Sequence, residues 1–87
     1  MDEDEEKKSR KEIAERILKE YGIKKKEIAE LIGASPAFVT LILKGKRNLP
    51  LEKAELLLRK GIPISLVKVL VNPKYERIVE KLGENLD

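Results

Sequence analysis

The chain has 87 residues, with 19 Lys or Arg against 16 Asp or Glu and no cysteine or histidine, which suits one small domain. Without thiols or imidazoles there are no disulfides, thiol nucleophiles, imidazole bases or common zinc ligand sets, so neither an enzyme nor a metal or other cofactor is expected. No apolar run approaches the roughly 18 residues that span a bilayer, and the acidic N-terminus is unlike a secretion leader. A cytoplasmic protein with no membrane partner and no evident small-molecule ligand is therefore expected.

The net charge of +3 is unevenly spread. Asp2, Glu3, Asp4, Glu5 and Glu6 hold five of the acidic charges, so the rest of the chain carries 19 basic against 11 acidic residues, or +8. Like charges repel and nothing apolar anchors this stretch, so residues 1–8 read as a disordered acidic head.

A first helix is expected from about Ser9. Ala14, Ile17, Leu18 and Tyr21 fall at i, i+3, i+4 and i+7, Ile13 adjoins them, and Gly22 ends the helix. Two short helices follow at about 25–32 and 36–43. Ala29 is the small residue where they touch, and Gly33 takes the positive φ that stops the first of them. Ser35 supplies a hydroxyl N-cap and Pro36 a preset φ at the first position of the second, while Ile28, Ile32, Val39 and Ile42 set the angle between the pair. Gly45 stops the second helix. Lys24, Lys25, Lys26, Lys44, Lys46 and Arg47 flank both helices, offset by Glu27 and Glu30, which is an electrostatic footprint for a polyanion.

Lys46 to Pro50 reads as a basic loop. A fourth helix, Leu51 to Lys60, turns Leu51, Ala54, Leu57 and Leu58 inward and is closed by Gly61. From Ile64 to Val71 only Lys68 is charged, so this fifth element is expected to be buried. Asn72 and Pro73 then cap a sixth helix over 73–82, in which Tyr75, Ile78, Val79 and Leu82 form a second stripe and which Gly83 ends. No strand signal or internal repeat interrupts this all-α pattern.

EIAELIGASPAFVTLILKGKR, Glu27 to Arg47, resembles the Cro/repressor (XRE-type, lambda-repressor-like) helix-turn-helix family, and the likeness extends over about residues 10–71. The resemblance implies a DNA-binding domain over 9–71, a lambda-repressor-like bundle of five helices, with a sixth helix in 72–87 added at its C-terminal side. It implies a transcriptional regulator that inserts helix 36–43 into the major groove of double-stranded DNA. Ser35, Pro36, Ala37, Thr40, Leu41 and Lys44 then face the groove, with Phe38 beside them against a thymine methyl or a sugar. Lys25, with Lys24 and Lys26, lies over phosphate, and Lys46, Arg47 and Asn48 touch the sugar-phosphate backbone.

Two-fold operators make a homodimer the expected state, with Tyr75, Ile78, Val79 and Leu82 as its interface; packing of that stripe onto its own domain is the other reading. Gln, Asn and Arg, the side chains that read bases by paired hydrogen bonds, are missing from the groove-facing positions. A second function is therefore open, a protein-interaction module on the same fold using Leu31, Phe38 and Leu41 as an apolar patch. The acidic head suits a solubilising tail or a DNA-mimicking brake on the basic face.

Overall fold

A computed structural model describes residues 3–85, with side chains from residue 10 onward. The described residues form six α-helices and no strand: α1 (Glu3–Tyr21), α2 (Lys25–Ile32), α3 (Pro36–Leu43), α4 (Leu51–Arg59), α5 (Ile64–Leu70) and α6 (Glu76–Asn85), with a 3-10 turn at Pro73–Tyr75. The long α1 lies against α3 and α5, α2 packs on α3 and α4, and α6 closes the far side against α4 and α5.

The α2–α3 pair has the boundaries expected from sequence. Gly33 adopts φ 69°, in the left-handed region, and the Ala34 N–H donates back to the Ala29 carbonyl at 2.9 Å, closing α2. A side chain at position 33 meets no steric obstacle, so backbone conformation alone selects glycine there. Ser35 Oγ accepts the Phe38 N–H at 3.2 Å, and Pro36 occupies the first turn of α3. After α3, Gly45 donates to the Ile42 carbonyl and Lys46 to the Leu41 carbonyl, both at 3.0 Å.

The core contains only apolar side chains among the described residues. Ile28, Ala29 and Ile32 of α2 meet Val39, Ile42 and Leu43 of α3 there, with Ala14 and Leu18 of α1, Ala54 and Leu57 of α4, and Leu66, Val67 and Leu70 of α5. Ala29 is 2% exposed, which fits its role as the small contact residue between α2 and α3.

Four sequence expectations change. The acidic stretch is helical from Glu3, so residues 3–8 extend α1 instead of forming a disordered head; Met1 and Asp2 lie outside the described residues. Acidic residues favour a helix N-terminus, where they oppose the positive end of the dipole. Tyr21 is exposed and Ile13 nearly half exposed, whereas Ala14 and Leu18 of the stripe are buried in the core and Ile17 packs against it.

The third change is Leu49, which falls within the segment read as a basic loop but is buried, its N–H donating to the Leu70 carbonyl at 2.9 Å. The fourth is the sixth helix, expected over 73–82: Pro73–Tyr75 is a 3-10 turn and α6 runs from Glu76 to Asn85, so Gly83 lies inside it instead of ending it. A Cβ there would come within 2.5 Å of Ile64 Cδ1, the end of a partly exposed side chain that can turn aside, where α6 packs on the start of α5.

Candidate functional site

The first turn of α2 combines cationic side chains with uncapped backbone. Lys24, Lys25 and Lys26 are all exposed, Lys24 is the N-cap residue, and no side chain accepts from the first N–H groups. A helix N-terminus carries partial positive charge, so cations there are locally unfavourable. Glu27 offsets part of this from within the turn, and Lys25 Nζ lies 3.8 Å from Glu15 Oε1 of α1, a loose exposed pair.

The outer side of α3 is short and mostly apolar. Ser35, Pro36, Ala37 and Lys44 are exposed, Thr40 and Leu41 are half-buried, and Val39, Ile42 and Leu43 are turned into the core. Phe38 is half-buried against the core, as is Leu31 of α2. Thr40 Oγ1 donates to the Pro36 carbonyl at 3.1 Å, one turn back, so its single donor is committed within the helix. Its methyl and its remaining lone pairs are what it offers outward.

The loop after α3 exposes Lys46, Arg47 and Asn48. Among the described side chains, from residue 10 onward, no carboxylate pairs with Lys24, Lys26, Lys44, Lys46 or Arg47. Asn48 has a different status: its Oδ1 accepts from Arg10 Nη1 at 3.0 Å, so part of this side chain is used inside the protein.

Arg10 itself was not singled out from the sequence, where an arginine on a charged helix reads as solvated surface. It is half-buried, and desolvation holds its guanidinium below the ordinary value. Its partners lie 37, 38 and 61 positions away, beyond the reach of any local pattern.

The stripe proposed for a second copy divides. Val79 is 0% exposed and belongs to the core of its own chain, which excludes it from a surface contact in this arrangement. Tyr75 and Leu82 are half-buried, Ile78 is 43% exposed, and Lys74 Nζ sits 5.1 Å from the centre of the Tyr75 ring. The stripe docks α6 onto α4 and α5, and Ile78 is the apolar member left facing outward.

No helix among the described residues is long and apolar enough to cross a membrane, and no group of three or more acidic, histidine or cysteine side chains among them is placed to hold a metal ion. Compared with known proteins, the chain matches no family model, no curated protein and no solved structure.

Proposed function

We propose that the protein is a helix-turn-helix transcriptional regulator that binds double-stranded DNA, with α3 in the major groove and the basic residues around α2 and α3 against the phosphates. The observation that carries this reading is the first turn of α2, where Lys24, Lys25 and Lys26 stand exposed at an uncapped N-terminus. Each cation in such a turn is disfavoured by about 0.3–1 kcal/mol in the free protein. A phosphate reverses the balance, because it accepts from the free N–H groups and attracts the ammonium groups beside it. Lys44, Lys46 and Arg47, exposed at the other end of the pair, extend the same chemistry.

Base reading is narrow in this arrangement. Ser35 and Lys44 are the exposed hydrogen-bonding side chains of α3, while Pro36, Ala37 and the Thr40 methyl offer apolar contacts of the kind a thymine methyl accepts. Modest sequence preference over a strong charge-driven background follows. In a two-fold complex a second copy uses Ile78, with the exposed edges of Tyr75 and Leu82.

The protein-interaction reading has less support. All three of its residues are half-buried, and Leu31 and Phe38 pack against the chain's own core, so the patch offers little apolar surface. Selection of bound duplexes from a random pool separates the two. Enrichment of a defined, two-fold site supports the regulator. Failure of the wild-type protein to retain any duplex at low salt contradicts it.

A further inference from the structure

Arg10 on α1 ties together three distant parts of the chain. Its Nη1 donates to the Arg47 carbonyl at 3.4 Å and to Asn48 Oδ1 at 3.0 Å, and its Nη2 donates to the Val71 carbonyl at 3.3 Å. All three of these acceptors are neutral, and among the described side chains, from residue 10 onward, no carboxylate pairs with this guanidinium. Burial partly desolvates the guanidinium. Its planar fork of N–H groups does fix the direction of each partner, which a lysine ammonium cannot do.

Backbone hydrogen bonds already hold the first two residues of the segment it grips and the residue that follows it. The Lys46 and Arg47 N–H groups both donate to the Leu41 carbonyl, at 3.0 and 3.3 Å, and the Leu49 N–H reaches the Leu70 carbonyl at 2.9 Å. Arg10 adds to these a side-chain hold on the Arg47 carbonyl and on Asn48 Oδ1, and the Lys46 and Arg47 side chains stay exposed.

We propose that Arg10 is a positioning residue that preorganises the loop Lys46–Asn48, so that Lys46 and Arg47 meet a phosphate without the cost of ordering the loop on binding. This rests on the DNA-binding reading of the same surface. Arg10 itself makes no contact with the nucleic acid, and Asn48 is a strut for the loop instead of a phosphate ligand.

Two measurements on the full chain test this. In the absence of DNA, Arg10→Lys keeps the charge but loses the fork, and the 15N order parameters of the Lys46, Arg47 and Asn48 amides fall relative to those of α3. Unchanged order parameters overturn the proposal. In duplex binding, Arg47→Ala weakens affinity about tenfold in the wild-type background and about threefold or less beside Arg10→Lys, a departure from additivity typical of coupled neighbours.

Lys26→Ala is the reference, since it removes a phosphate contact at α2 and adds to Arg10→Lys without coupling. An additive Arg10–Arg47 cycle alongside an intact Lys26 effect overturns the positioning role and leaves DNA binding standing. Loss of no affinity in either Lys26→Ala or Arg47→Ala overturns the DNA-binding reading and this proposal with it. Should Arg10→Lys prove too unstable, Asn48→Ala removes one partner of the guanidinium without touching α1, and the same two readouts apply.

Discussion

The Lys68 ammonium of α5 lies 2.6 Å from Glu80 Oε1 of α6 and joins the two helices across their exposed edge. The hydrogen bond and the charge of Glu80 raise the pKa of Lys68, and the same hydrogen bond and charge lower that of Glu80. The contribution of Glu80 is complete above the ordinary carboxylate range and is lost as pH falls through its lowered folded value. That of Lys68 is complete below the ordinary lysine range and is lost as pH rises through its raised folded value. Both groups face solvent, so the effect is small and weakened by salt. Glu80→Gln is expected to lower the thermal midpoint slightly at neutral pH and to match wild type in strong acid. A difference that survives in acid assigns the effect to packing instead of charge.

Stability and binding should move in opposite directions at the start of α2. Lys24→Asp places a carboxylate at the vacant N-cap, where it accepts an amide N–H and complements the dipole, so denaturant unfolding should show a gain of about 1 kcal/mol. The same change removes one phosphate contact and adds a negative charge, so duplex affinity should drop by about tenfold or more. Equal affinity in the stabilised variant argues against phosphate at this turn.

Thr40 distinguishes two kinds of readout, because its donor is already given to the Pro36 carbonyl. Thr40→Val keeps the methyl and should preserve the preference among duplex sequences, whereas Thr40→Ala removes it and should flatten that preference. Binding arrays of related duplexes measure both. If valine alters the preference as much as alanine does, the hydroxyl oxygen is the reading group.

On α6, neighbouring positions should behave differently. Val79→Ala opens a cavity in the core and should cost about 2–3 kcal/mol in chemical denaturation. Ile78→Glu, at an outward position, should leave stability within about 0.5 kcal/mol while shifting a dimer toward monomer in sedimentation. Sedimentation unchanged by Ile78→Glu removes Ile78 from any interface.

What the sequence disclosed and what it concealed follow from the range of the interactions involved. The limits of α2 and α3 were legible because each is set locally: Gly33 by its own φ, Ser35 by an amide three residues on, and Pro36 by its ring. The charged first turn of α2 and the apolar outer side of α3 were legible for the same reason. Leu49 and Arg10 were not, because the Leu70 and Val71 carbonyls that hold them reach their positions only when α5 folds back. Gly83 misled because a glycine near a helix end reads as a stop, whereas α6 continues through it to Asn85. The Tyr75 to Leu82 stripe was legible as a packed face, but periodicity alone does not say whether its partner is the same chain or another.

The most direct test of the central claim is the salt dependence of duplex binding by the wild-type protein. If Lys24, Lys26, Lys44, Lys46 and Arg47 each neutralise a phosphate, the plot of log affinity against log salt has a slope of about −4 to −5, and affinity falls about 500-fold between roughly 50 and 200 mM salt. A slope near zero, or duplex binding unaffected by salt, contradicts the account.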